Sequence, residues 1–148
     1  MYIDEKDLVI LDALKENSKL TTQQIAKRTR IAVTTVHNRI KKLEKLGIIE
    51  GYGLKLDHKK LGYGITAYIL ISVSYNLSSG KKVEQQEICN KIKNLGGVEF
   101  VNIVTGVSDI VVKVRTKDVD ELNGFVTKHL RKIEGVDKTQ TMVVLNEI

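Results

Sequence analysis

The stretch that decides the fold reads Val33-Thr34-Thr35-Val36-His37-Asn38-Arg39-Ile40-Lys41-Lys42-Leu43-Glu44-Lys45-Leu46-Gly47-Ile48-Ile49. On a helical wheel with Thr35 at zero, Val36, Ile40 and Leu43 fall at about 100°, 140° and 80°, a compact apolar stripe. Asn38, Arg39 and Lys42 fall within about 60° of Thr35, and Thr34, Lys41 and Lys45 extend the same polar arc. Gly47 stands just past the periodic run, so the pattern predicts a helix over Val33–Leu46. Hydroxyl and amide groups come first on its polar face and cations follow. That order suits a helix entering a major groove, where Asn bonds adenine in bidentate fashion and Lys reaches phosphates.

Two shorter helical patterns precede it. Ile3, Leu8, Leu11 and Leu14 repeat at helical spacing behind Asp4, with Asp7 three residues on in a weaker relative of the capping box. Asn17 suits the left-handed position that closes such a helix. Thr21 and Gln24 write a T-x-x-Q capping box ahead of Ile25 and Ala26, opening a helix that ends near Arg28. Ala26 allows close approach, Ile31 plugs the turn, and Val36 packs back on both helices. Together the three patterns predict a helix-turn-helix.

Charge agrees. The 148 residues carry 24 basic and 18 acidic side chains, a net charge of +6 and a pI near 9.3. Eleven basic and only three acidic residues lie between Lys19 and Lys60. The residues before and after that stretch are acidic and nearly balanced, respectively. A local excess of this kind selects a polyanion, and the helical face favours duplex DNA over a lipid surface, which needs aromatics at its boundary. His37 flanks this face within reach of a phosphate or of solvent alone.

Other classes are excluded or disfavoured. One cysteine, Cys89, allows no intramolecular disulfide, and His37, His58 and His129 are too scattered for a metal cage; no cofactor is expected. The opening residues contain no basic-then-apolar leader, so a cytoplasmic address is expected. Leu61–Gly80 carries no charge, but Gly62, Gly64, Thr66, Ser72, Ser74 and Asn76 interrupt it. It reads as a strand and not as a membrane span.

From Ile65 the period switches to two, with Ile65, Ala67, Ile69, Ile71 and Val73 on one face. A polar bend through Asn76–Gly80 leads to a helix over Lys81–Leu95, stopped by Gly96-Gly97. Val98–Val104 and Asp109–Arg115 read as a hairpin around Thr105–Ser108. Asp118 and Glu121 write a further capping box before a helix through Ile133, Gly135 ends it, and Lys138–Glu147 is the last strand. The order is βαββαβ. The fold class is therefore α+β: a winged helix-turn-helix over 1–50, a wing and linker over 51–64, and a ferredoxin-like domain over 65–148. Gly51-Tyr52-Gly53 and Gly62-Tyr63-Gly64 lack a phosphate-cradle spacing and frame a wing strand around Leu54–Leu56. RNA recognition through the sheet needs stacking aromatics on its central strands, and the pair Val98–Val104 and Asp109–Arg115 offers only Phe100.

The chain resembles the Lrp/AsnC, or feast/famine, family of transcription regulators. The resemblance rests on Ile3-Asp4-x-x-Asp7-x-x-Ile10-Leu11, on Thr34-x-Val36-x-x-Arg39-Ile40-x-x-Leu43-Glu44-x-x-Gly47-Ile48-Ile49, and on Thr105-Gly106-Val107-Ser108-Asp109 before Ile110–Val114. Two positions depart from it. Arg30 stands where the turn usually has Gly, and Ala32 where a Ser N-cap is common. The resemblance implies a sequence-specific regulator of double-stranded DNA, dimeric through its C-terminal sheet and assembling further, to an octamer. Its DNA-binding residues would be Arg30, Thr34, Thr35, His37, Asn38, Arg39, Lys41 and Lys42. It also implies an amino-acid effector at Thr105, Gly106, Val107, Ser108 and Asp109. Gly106 can offer its amide to a carboxylate, and Asp109 can accept from an ammonium group; the same two residues can equally do no more than shape a turn. Some relatives with this layout act as decarboxylases of siroheme-type tetrapyrroles. They need cations and histidines near the sheet, where this chain has one histidine and balanced charge. An effector-free architectural DNA-coating protein is the remaining alternative.

Overall fold

The computed structural model describes residues 3–76, 80 and 82–147. The chain divides into two compact units, Met1–Leu56 and Asp57–Ile148.

The first unit is α1 (Glu5–Glu16), α2 (Thr22–Thr29) and α3 (Val33–Lys45). Both N-terminal caps close as reciprocal boxes, Asp4 with Asp7 and Thr21 with Gln24, each satisfying two amides that a helix start leaves unpaired. The chain leaves α3 by a Schellman arrangement: Gly47 takes φ +69°, its N–H donates to Glu44 O, and Ile48 N–H donates to Leu43 O. Ile10, Ala13, Leu14, Ile25, Ala26 and Val36 form the core, with Leu20, Ile31, Ile40 and Ile49 packed against it.

Two local expectations fail here. Asn17 is extended (φ −151°), not left-handed, because its side chain accepts from Lys19 N–H and turns the chain by itself. No strand forms over residues 51–57. Leu54 and Leu56 are exposed, and a strand without a neighbour has no ladder to hold it.

The second unit contains β1 (Ile65–Val73), α4 (Gln85–Lys93), β2 (Val98–Ile103), β3 (Ile110–Thr116), α5 (Val119–Gly124) and β4 (Val136–Val143). The strands pair antiparallel in the order β2-β3-β1-β4, as the ferredoxin-like reading requires. The inward face of β1 and β3, Ala67, Ile69, Ile71 and Val73 with Ile110, Val112 and Val114, packs on Ile88, Ile92, Leu122, Phe125 and Leu130 from the helices.

The edges of several elements move. α4 starts at Gln85, because Lys82 is bridged to Asn76 and Val83 is drawn into the core; the expected start at Lys81, and residues 77–79 of the expected bend, lie outside the described residues. α5 continues as a wider π turn (Phe125–His129) and a 3-10 turn (Leu130–Lys132). Its cap is one-sided: Asp118 accepts from Glu121 N–H, while the Glu121 carboxylate turns to Lys117 N–H. β2 ends at Ile103, and β4 starts at Val136 and ends at Val143.

The strand order also corrects the placement of Phe100. It lies on an edge strand, and central β1 brings Tyr68 beside it, with ring centroids 6.2 Å apart. Lys113 stands 5.9 Å above the Tyr68 ring and is bonded to Glu99. The two aromatics are packed on each other, not splayed for bases.

Candidate nucleic-acid interface

α3 is held by its apolar stripe. Val36 and Leu43 are completely buried, and small Ala26 lets α2 approach. The turn between α2 and α3 places Arg30 at φ 58°, ψ 28°, the only positive φ at a non-glycine among the described residues. That conformation brings the β-carbon against the following carbonyl and costs about 1–2 kcal/mol. Ala32, at the head of α3, makes no side-chain cap, so the leading amides of α3 are left to other partners.

The expected DNA-binding residues separate into two groups. Thr34, His37, Asn38 and Lys41 are exposed and share one ridge, which Lys45 continues; Arg30 is exposed at the turn below. Their spacing of three and four residues makes them one face. Thr35, Arg39 and Lys42 lie on the flank towards α1. Thr35 is half-buried. The Arg39 Nη1 atom lies 2.5 Å from Asp4 Oδ1 and 2.9 Å from Asp7 Oδ1, and Lys42 Nζ lies 3.3 Å from Asp7 Oδ2. The open face of α3 is thus centred about 100° from Thr35 in the sense away from the apolar stripe, near Lys41 and Lys45. Lys45 was visible on the wheel; the carboxylates that claim Arg39 were not, since they lie more than thirty residues upstream in the chain.

Asp7 is completely buried. Burial pushes its carboxyl upward, but bonds from Arg39, the Asp4 amide and Lys42 outweigh this and hold it below the ordinary carboxylate range. Asp4 is held low chiefly by Arg39, and Arg39 is raised by both carboxylates.

In the second unit, Thr105, Gly106 and Val107 are exposed, Val107 by 98%, while Ser108 and Asp109 are half-buried. Gly106 takes φ +127° and has open space around its α-carbon. Asp109 is engaged within the fold. Its carboxylate accepts from Val73 N–H at 2.8 Å, Tyr75 OH at 2.7 Å and Gln85 Nε2 at 3.2 Å. The Val73 amide and the Tyr75 hydroxyl hold its carboxyl below the usual range. Two carboxylate oxygens offer about four acceptor positions, so three are in use.

Other singled-out residues have plain roles. Cys89 is a buried free thiol pushed up by burial. Tyr52 OH donates to Glu44 at 2.8 Å, and Tyr63 lies edge-on to His58. His129 is exposed, 6.5 Å from the Phe125 ring. No described helix is long and apolar enough to cross a membrane, and no three metal-ligating side chains gather among the described residues.

Comparison with known proteins agrees with both units. Residues 3–50 match a winged helix-turn-helix DNA-binding model, and residues 66–148 match the Lrp/AsnC ligand binding domain. An uncharacterized HTH-type transcriptional regulator of Pyrococcus furiosus is 42% identical over 145 residues, covering 98% of this chain and 93% of that protein. The regulator FL11 of the same organism is 36% identical, covering 97% and 89%. Among solved structures, a transcriptional regulator of Neisseria meningitidis in complex with L-Met superimposes with a TM-score of 0.89 at 25% identity, covering 99% of this chain and 92% of that one. AsnC of E. coli gives 0.84 at 26%, covering 99% and 95%. With a helix-turn-helix unit that matches one model, a βαββαβ unit that matches the other, and relatives spanning nearly its whole length, the chain belongs to the Lrp/AsnC family of DNA-binding transcription regulators.

Proposed function

We propose that α3 reads duplex DNA through the ridge Thr34-His37-Asn38-Lys41-Lys45. The observation that carries this reading is the exposure of that whole ridge beside a strained cation at Arg30. Thr34 and Asn38 meet base edges, where an amide can bond adenine through two atoms. Lys41, Lys45 and Arg30 meet phosphates, which position the helix without specifying sequence. The strain at Arg30 is offset by a phosphate contact that Gly could not make.

The open face of the sheet joins two copies and would present two recognition helices to an inverted repeat; further copies build a higher oligomer, up to an octamer. Support comes from the apolar and aromatic groups on that face: Tyr68, Phe100, and Met142, which is 43% exposed. The Thr105–Asp109 loop takes an amino acid through the open amide side of Gly106, as a neighbour crystallised with L-Met makes reasonable. With Asp109 already tied to Val73 and Tyr75, its part is to hold the loop in shape and to spend at most its one spare acceptor position on an ammonium group. The chain acts by binding and not by catalysis.

Selection from random duplexes, with and without a panel of amino acids, tests the reading. It succeeds if discrete sites with inverted symmetry emerge and footprint as discrete protections. Uniform coverage would instead mark a coating protein, and tetrapyrrole absorbance on titration would mark a decarboxylase.

A further inference from the structure

On the assumption that α3 is the DNA-reading helix, we propose that Asp7 is a specificity-determining residue that withholds Arg39 and Lys42 from the phosphates. α3 has four cations, and they are not equivalent. Lys41 and Lys45 stand on the exposed ridge. Arg39 and Lys42 are one helical position away from that ridge on the α1 side, and both terminate on the same completely buried carboxylate, at 2.9 Å and 3.3 Å. Asp4 adds a second oxygen to Arg39, whose side chain is only 22% exposed; the Lys42 side chain is 47% exposed and is held through its ammonium end alone.

This placement has a consequence for recognition. Phosphate contacts are sequence-independent and supply essentially all of non-specific binding. A recognition helix with four free cations would hold any duplex in several registers. With two cations neutralised from beneath, fewer phosphates can be engaged on random DNA, and the base-reading groups Thr34 and Asn38 decide the outcome. The same carboxylate fixes the rotation of α3 against α1, which sets the ridge that faces outward. Asp7 is therefore a positioning residue that acts through Arg39 and Lys42 and touches no DNA itself.

The test uses the full chain, a duplex selected by the wild-type protein from a random pool, and a random-sequence duplex of equal length. Affinities are measured from low to moderate salt. Asp7→Asn should bind the random duplex roughly tenfold more tightly, and its log–log salt slope should steepen by about 0.9 per chain for each cation released. The ratio of selected to random affinity should fall by a similar factor. A merely structural Asp7 would lower the melting temperature and weaken both duplexes with the slope unchanged, and that result overturns the proposal. Should Asp7→Asn fail to fold, Lys42→Gln carries the test, because it leaves the Asp7–Arg39 pair and the cap intact. With Lys42 already withheld, its random-duplex slope should match the wild type, and a slope shallower by about 0.9 per chain overturns the proposal. If the wild-type protein itself shows no salt-dependent duplex binding, the DNA reading fails first and takes the proposal with it; a wild type that discriminates beside an Asp7→Asn variant that does not change sinks the proposal alone.

Discussion

Val73 donates its backbone N–H to the Asp109 carboxylate at 2.8 Å, which extends the β1–β3 pairing one step past its last register pair, Ile71 with Ile110. Asp109 returns a backbone link, since its own N–H donates to Ile71 O. The loop expected to meet an effector is therefore anchored at its C-terminal end while Gly106 and Val107 stay open. Replacing Asp109 with Ala would strand the Val73 amide and take the acceptor of the Tyr75 hydroxyl away. The expected loss is about 1–3 kcal/mol of stability, the cost of an unsatisfied partly buried donor, checked by urea unfolding.

The same carboxylates set the response to acid. Asp7 and Asp109 are both held below the ordinary carboxylate range in the folded chain. A depressed folded value means the unfolded chain binds protons first, so stability rises with pH in that window. Their contribution is complete above the unfolded value, about 3.9, and is lost as pH falls through the lower folded values. Melting temperature should be insensitive to these groups near neutrality and should drop below about pH 4. Asp7→Asn should flatten that acid drop, and an unchanged profile would show that Asp7 does not titrate with folding.

Gly97 offers a backbone test of the sheet unit. It sits at φ +80°, and a β-carbon there would lie 2.3 Å from the Arg115 carbonyl oxygen, next to the bond from Arg115 N–H to Gly97 O. Strain and clash act together at this position. Gly97→Ala should cost at least about 2 kcal/mol by chemical denaturation.

Arg30 should separate stability from binding. Arg30→Gly relieves the left-handed strain and is expected to gain up to about 1 kcal/mol, measured by thermal melting. Duplex affinity should fall at the same time, with the salt slope shallower by about 0.9 per chain. Affinity that stays constant would remove Arg30 from the interface.

Asn38 and Lys41 divide the roles on the ridge. Asn38→Ala should erode discrimination between selected and random duplexes by about 1–3 kcal/mol, whereas Lys41→Ala should weaken both alike. Identical behaviour of the two variants would refute the division.

What was legible in the sequence follows the range of the interactions involved. The caps at Asp4 and Thr21 and the helix exit at Gly47 are written within a few residues, and all three closed as read. The chain order βαββαβ followed from the alternation of periods two and 3.6, whereas the edge position of β2 is set by pairing between distant strands. Arg39 was different. A wheel shows only one helix, and the carboxylates that turn Arg39 inward come from another one. The start of α4 failed for a related reason, since the Asn76–Lys82 bridge competes with helix over those residues. The role of Asp109 was open between ligand contact and turn; its bonds to Val73, Tyr75 and Gln85 depend on three separate segments that no local pattern announces.

The claim beneath all of this is that the cationic ridge of α3 lies against duplex DNA. Equilibrium titration of the full chain with a selected duplex, repeated over a series of salt concentrations, measures it directly. With three phosphates neutralised by Arg30, Lys41 and Lys45 in each subunit of a dimer, the slope of log affinity against log salt should be about −5. A slope of about −1 would contradict the account, because no ridge of cations could then be in contact with the phosphates.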